Sequence, residues 1–486
     1  MYKNCLFLFY CFIMLVGCNQ NSSKNDIVKS RVIPTSNQIV YQRQKVIGFV
    51  HFGMNTFTDK EWGYGDENPQ NFNPQKLDAE QWAIAAKEGG LKELILVAKH
   101  HDGFCLWPSK YTEHSIKNSP YKGGKGDIVK EFVDACRKQG LKIGLYLSPW
   151  DRNHKDYGKQ EYIAYYRNQL NELLTNYGEI AEIWFDGANG GDGFYGGANE
   201  TRKIDRATYY DWPTTIALAK KLQPNLLIFS DAGPDIHWIG NENGFAGETF
   251  WSTIDDSKLV IGNSDMNYLN SGDPNGNKWI VGQCDVSIRP GWFYHSKEDS
   301  LVKTPQQLFD IYLKSVGRNS VLLINIPPNK DGLFSKIDIE NLKGLNRIIQ
   351  NTFERNLATG KTITASNTSS NSKVFAPENL VDNNSSTIWT TKDNCLSAEI
   401  NINLGSSTQF DIIELNEAIE YGQRISKFQV LAKIDGIWTP ITSGTTIGLS
   451  RLLKFDPIIA DGIKITVEST SNSPVLESIG VYKLQL

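Results

Sequence analysis

The chain has 486 residues, with 50 Lys and Arg against 54 Asp and Glu and a formal net charge of -4. Without a basic field to displace counterions, binding to nucleic acid is excluded as its function. The 40% hydrophobic, 11% aromatic and 21% charged residues belong to a globular protein with a large core, neither disordered nor fibrous.

In chain order, residues 1–17 read as an export signal. Lys3 precedes an apolar run from Cys5 to Val16, which is short for a membrane span. Leu15-Val16-Gly17-Cys18 then forms a lipoprotein cleavage box, with Cys18 acylated as the first mature residue and residues 18–30 as a tether. The expectation is a protein lipid-anchored to the membrane in a bacterial cell envelope, periplasmic or outer-surface. The alternative is a soluble secretory signal in which Cys18 is incidental. The remaining Cys105, Cys136, Cys284 and Cys395 are widely separated and predict buried thiols rather than disulfides or a zinc site.

Residues 31–350 alternate apolar runs with amphipathic ones. Strands are predicted at 45–51, 93–99, 142–147, 180–185, 226–230, 279–283 and 321–326, and helices at 78–88, 127–139, 161–177, 209–222, 305–316 and 336–351. Val-, Ile- and Leu-rich runs without polar alternation fit parallel strands buried on both faces. Repetition of β-then-α predicts an α/β fold, a (β/α)8-like barrel whose missing eighth strand is expected near 250–262. Nearly every run ends in polar residues, such as His51, His100-His101-Asp102, Asp151, Asp186, Asp231 and Asp285. In a barrel these ends face one bowl. Residues 351–486 turn to short alternating runs separated by Ser, Asn, Gly and Thr, the pattern of a β-sandwich of seven short strands.

Asp186 leaves a buried strand beside Trp184 and precedes Gly187-Ala188, a position suited to a nucleophile. Its competing reading is a loop cap. A second carboxylate is required for most glycosyl transfers to water, and both Glu242 and Glu248 qualify; the residues alone do not choose. His51, Glu61, Trp62, His100, His101, Trp150, Trp251 and Trp292 combine hydrogen-bonding groups with aromatic platforms, which suits a sugar's hydroxylated edge and apolar face. Zinc on His51, His100 and His101 is the competing reading. It requires the backbone to turn at His100, because neighbours on a strand point to opposite faces. Trp82 and Trp212 read as helix core.

Together, His51-Phe52-Gly53, Glu61-Trp62-Gly63, Lys99-His100-His101-Asp102-Gly103-Phe104, Gly144-Leu145-Tyr146-Leu147-Ser148 and Trp184-Phe185-Asp186-Gly187 resemble, in order and spacing, the α-L-fucosidases of glycoside hydrolase family 29. Residues 233–242 and 290–295 are similar to the branch acting on α-1,3/1,4-linked fucose in fucosylated oligosaccharides. The resemblance implies Asp186 as nucleophile, Glu242 rather than Glu248 as acid/base, and His51, Glu61, Trp62, His100, His101, Tyr146 and Trp184 around the fucose. Trp292 would border the leaving group, and no metal or other cofactor is required. The Gly-rich stretch 189–199 departs from the family pattern. Asn356-Leu357-Ala358, residues 377–382 and 387–390, and Glu477-Ser478-Ile479 resemble a discoidin-like (F5/8 type C) sandwich. Such modules bind glycans or a structural calcium in some members, or simply pack on the barrel. A non-catalytic glycan-binding protein and a broad-specificity α-L-fucosidase are the alternative functions.

Overall fold

A computed structural model describes residues 27–371, 374–469 and 472–486. The export signal and Cys18 lie outside the described residues. Residues 27–30, read as the end of a tether, lie against the C-terminal region, where Ser30 N donates to Tyr421 O and the Arg424 guanidinium to Val28 O.

Eight parallel strands close into a barrel: β1 Val46–Val50, β2 Glu93–Lys99, β3 Lys142–Leu147, β4 Glu182–Trp184, β5 Leu227–Ser230, β6 Ile236–Trp238, β7 Val281–Ser287 and β8 Val321–Asn325. Most of the intervening helices begin on a side chain that supplies the missing partner of a first-turn N–H. Asp78 caps Ala79–Glu88, Asp127 caps Ile128–Gln139, and Thr304 with Gln307 forms a capping box on Pro305–Ser315.

The eighth strand is not near 250–262. It is β6, which follows β5 after the short link 231–235 with no helix between them. A search for β-then-α periodicity therefore passes over it. The predicted region instead contributes Thr253–Ile254, which pairs antiparallel with Lys278–Trp279 outside the barrel. The predicted strand at 279–283 is displaced accordingly, and β7 runs Val281–Ser287. The Gly-rich stretch after β4 folds into a small hairpin, Gly191–Gly193 against Glu200–Arg202.

The C-terminal region is antiparallel, in the order β10 Trp389–Thr390, β15 Val475–Tyr482, β11 Ser397–Glu417, β14 Arg451–Ser469, β12 Ile425–Ile434 and β13 Ile437–Gly444, with β9 Thr362–Ala365 on β11. Two pairs of predicted short strands are each one long strand. Register shifts between Asn403 and Thr408 and between Phe410 and Ile412 bend β11 where the sequence breaks its alternation, as bulges do when a strand changes layers. Of the four cysteines, Cys105, Cys136 and Cys284 are buried thiols, whereas Cys395 is partly exposed, a correction to its expected burial. It sits on a polar turn before β11.

Inside the barrel the two-residue period stacks Ile47, Phe49, Ile95, Val97, Tyr146, Trp184 and Phe229 into one buried cluster. Tyr41 of the helix Ser36–Gln42 plugs the lower end of the barrel, its hydroxyl accepting from Gln283 Nε2, and Ile419 and Leu449 of the sandwich belong to the same cluster, so the second domain packs against the plugged stem. Asn319, just before β8, joins the two. Its amide donates to Ser252 Oγ (3.0 Å) and Gln423 Oε1, and its carbonyl oxygen accepts from Gln42 Nε2 (2.8 Å) and Leu449 N (2.8 Å). Asn319→Leu strands these buried partners and is expected to destabilise the protein by about 2–4 kcal/mol. A urea denaturation series that shows no shift in midpoint contradicts this.

Candidate active site

The C-terminal strand ends form one cleft lined by Phe49, His51, Glu61, Trp62, His100, His101, Trp184, Asp186, Ala188, Glu242, Asp285 and Trp292. It thus contains nine of the ten barrel residues that the resemblance implies. The tenth, Tyr146, reaches it through its hydroxyl, which donates to Asp186 Oδ2 at 3.0 Å. Of the two further tryptophans expected in the bowl, Trp150 packs against Trp62 and His101, and Trp251 does not line the cleft. Glu248 does not line the cleft. It pairs with Arg318 at 2.9 Å, and its carbonyl accepts from Arg451 of the sandwich.

Asp186 lies two residues beyond the end of β4 at Trp184. Its Oδ1 accepts from Ala188 N–H at 2.5 Å. Burial pushes its carboxyl up to about 6, against the lowering effect of the Ala188 and Tyr146 hydrogen bonds. Glu242 lies on the turn beyond β6, which Gly240 makes possible by adopting φ +93 against the Met266 backbone. The Trp292 indole donates to Glu242 Oε2 at 3.1 Å. Burial, then the charges of Asp186 and Glu61, raise the Glu242 carboxyl above its ordinary range, while the Trp292 bond lowers it.

The chain does turn at His100. β2 ends at Lys99, and the His100 and His101 rings both enter the cleft, with centroids 4.1 Å apart. Burial is the first cause holding His51 and His101 down at about 3 and His100 well below its usual value, so all three imidazoles are neutral. Their neighbours then fix the tautomers. His51 Nδ1 donates to Asn325 Oδ1 (2.9 Å). His101 Nδ1 donates to Ser148 Oγ (2.7 Å), whose own proton goes to Trp150 O. His100 Nδ1 accepts from Asn55 Nδ2 (3.3 Å). Nε2 is therefore an acceptor on His51 and His101 and a donor on His100, a mixed set suited to hydroxyl groups.

Aromatic rings form the floor and walls. Trp184 stacks on Phe229 at 3.8 Å and 5°, and its indole donates to Gln283 Oε1. Phe49 packs against His51, Trp184 and Trp292. Trp62, 52% exposed, stands edge-on to His101 and Trp150 at the rim. Trp292 spans the cleft from His51, at 5.1 Å between rings, to Glu242.

Glu61 does more than line the wall. Its carboxylate accepts from Trp292 N (2.8 Å), Phe293 N (3.2 Å) and His295 Nε2 (2.7 Å), and Gly291 passes so close to it that a Cβ there would push the carboxylate aside. His295 also donates to Asp59 Oδ1 at 2.6 Å. Although burial works against it, these two carboxylates raise His295 and hold it as imidazolium. His295 was legible only as part of the 290–295 motif, and Phe49 reads in sequence as ordinary core. Asn325 sits at a strand end, the same signal that marked His51, and could have been found by it.

A family model for α-L-fucosidase matches residues 33–352, and one for the F5/8 type C domain matches residues 362–478. Alpha-L-fucosidase 1 of Arabidopsis thaliana is 40% identical over 485 residues, covering 98% of this chain and 93% of that protein. The crystal structure of a glycoside hydrolase 29 family member from an unknown rumen bacterium has 43% identity and a TM-score of 0.84, covering 95% of this chain and 78% of that one. A Ruminococcus gnavus GH29 fucosidase in complex with fucose has 36% identity and a TM-score of 0.84, covering 94% and 96%.

Proposed function

The chain belongs to glycoside hydrolase family 29, the α-L-fucosidases, and we propose that it removes terminal α-1,3/1,4-linked fucose from branched, Lewis-type glycans by a retaining double displacement. The observation that carries this reading is the presence of Asp186 and Glu242 in one cleft walled by neutral imidazoles and tryptophans. In the first step an Asp186 carboxylate oxygen bonds to the anomeric carbon as the glycosidic C–O bond breaks, and Glu242 gives its proton to the departing oxygen. The ester carries no charge. Loss of the Asp186 charge lowers the Glu242 carboxyl, which then takes a proton from water as that water displaces Asp186 and releases α-fucose. His51, His100 and His101 exchange hydrogen bonds with the ring hydroxyls, Glu61 holds the Trp292 loop, and Trp184 and Trp62 meet the apolar face. Trp292, joined to Glu242, borders the leaving sugar.

The branched-linkage assignment rests on the 233–242 and 290–295 motifs. Fucose release from a Lewis-type trisaccharide is expected to be much faster than from 4-nitrophenyl α-L-fucoside, with the α-anomer seen first by NMR. The reverse ranking would favour a broad-specificity fucosidase, and β-fucose as first product would remove the retaining mechanism. Asp186 must be ionised to attack, so kcat/KM is expected to rise with pH through about 6 and to fall again as Glu242 loses its proton. A profile flat from pH 5 to 7 contradicts the roles given to this pair. The Leu15-Val16-Gly17-Cys18 box supports attachment to the bacterial envelope through acylated Cys18; metabolic labelling with a fatty acid, lost in Cys18→Ala, tests it.

A further inference from the structure

A fourth carboxyl, beside those of Asp186, Glu242 and Glu61, enters the cleft. Asp285 projects from β7, is 4% exposed, and its Oδ1 accepts from the Trp238 indole N–H at 2.8 Å. Trp238 is the last residue of β6, four positions before Glu242. The β6–β7 ladder ends there, with Ile239 N donating to Gln283 O at 3.1 Å. Beyond that bond the chain turns through Gly240, and Asn241 closes the loop by donating to Phe245 O and accepting from Asn243 N. Glu242 sits on an exposed stretch of the turn, but its carboxyl reaches into the cleft and is held there by the Trp292 indole. Above the ladder, the Trp238 indole therefore carries the connection from the root of this turn to β7. A strand end followed by a glycine is free to pivot unless a side chain at its root is fixed.

We propose that Asp285 is a positioning residue for the acid/base: by accepting the Trp238 indole proton it fixes the root of the turn that carries Glu242 and so sets the reach of Glu242 to the departing oxygen. The proposal rests on the reading of Glu242 as acid/base. Burial, then the charges of Glu242 and Asp186, push the Asp285 carboxyl up to about 8, so at neutral pH it is protonated. It can accept the indole bond through its carbonyl oxygen without adding a further negative charge to the site. An amide has the same capacity, which is why Asp285→Asn serves as the conservative control.

The test compares kcat/KM on the trisaccharide, whose leaving oxygen needs a proton, with kcat/KM on α-L-fucosyl fluoride, whose leaving group does not. Positioned acid catalysis contributes typically ~10²–10⁴-fold. Asp285→Ala is therefore expected to lose roughly 10–100-fold on the trisaccharide and less than about 3-fold on the fluoride. Trp238→Phe should reproduce that pattern, and Asp285→Asn should stay within about 3-fold of wild type on both. Equal losses on both substrates, wild-type rates in Asp285→Ala, or an Asn variant as impaired as the Ala variant would each overturn the proposal. Glu242→Ala is run beside them. If it shows no dependence on leaving group, the acid/base reading fails, and the proposal with it; if it does and Asp285→Ala does not, only the positioning role fails.

Discussion

Asp186→Ala is expected to lower kcat on the order of 10⁴-fold or more while leaving a folded and more stable protein. The loss follows from the proposed role: in the retaining mechanism no fucosyl ester forms without a carboxylate beyond β4, and removing a group that acts as a unit with its partners costs most of the catalysis. The gain in stability follows from the environment. Burial raises the folded-state carboxyl from 3.8 to about 6, so the folded protein binds this proton more tightly than the unfolded chain does. Its contribution is therefore unfavourable above about pH 6, shrinks as pH falls through 6, and vanishes below about 4. Removing the carboxyl relieves about 1–3 kcal/mol at pH 7, less whatever is lost when Tyr146 and the Ala188 N–H give up their acceptor. Azide should restore turnover of 4-nitrophenyl α-L-fucoside in the variant and give β-L-fucosyl azide, because the small anion attacks from the face that Asp186 vacates. Retained hydrolysis, or a variant less stable at pH 7 than at pH 4.5 relative to wild type, would count against the assignment.

What the sequence disclosed about this cleft depended on whether a residue's role was local. His51 and Asp186 each stand at the end of an apolar run, and the end of a parallel strand has only one direction to face once the barrel is assumed. The turn at His100 was harder, because alternation along a strand predicts opposite faces for two neighbours. The register shift between Val97 and Lys99 in the pairing of β2 with β3 breaks that alternation, and nothing in the local residue types announces it. Glu242 and Glu248 could not be separated by pattern alone since both follow glycine-containing loops; only the contacts of Glu248 with Arg318 and Arg451, far along the chain, draw it away. β6 was missed for a related reason. Three residues between the short link 231–235 and the long connection 239–280 carry almost no periodic signal, and their strand character comes from pairing with β5 and β7 on either side. The bond between Trp238 and Asp285 spans 47 positions and is invisible until those strands are neighbours.

A chain ending after residue 353 is expected to yield no soluble, active enzyme, although every residue of the cleft would remain. The sandwich backs the helix Ser36–Gln42 that plugs the barrel stem: Ile419, fully buried, and Leu449, 5% exposed, join Tyr41 of that helix in the cluster that contains Ile47, Phe49 and Trp184. Phe49 and Trp184 are also the floor of the cleft, so apolar packing runs unbroken from the sandwich to the site. Taking the sandwich away exposes the apolar surface around the helix Ser36–Gln42 at the lower end of this column and leaves Arg43 and Lys45 without Glu477 and Glu414. It also strips Asn319 of two of its buried partners. Such an exposed apolar surface favours association over monomeric folding. A milder version tests the same point in the whole chain. Ile419→Asp places a carboxylate in the stem at a cost of several kcal/mol unless the interface opens, so the single thermal transition expected of wild type should split into separate transitions for barrel and sandwich. Because unfolding entropy scales with the size of the cooperative unit, at roughly 2 cal/mol/K per residue, a shift in midpoint alone would be small; the splitting is the sensitive readout. A soluble truncated barrel with wild-type kcat, or one transition preserved in Ile419→Asp, would mean that the barrel holds its site without help from below.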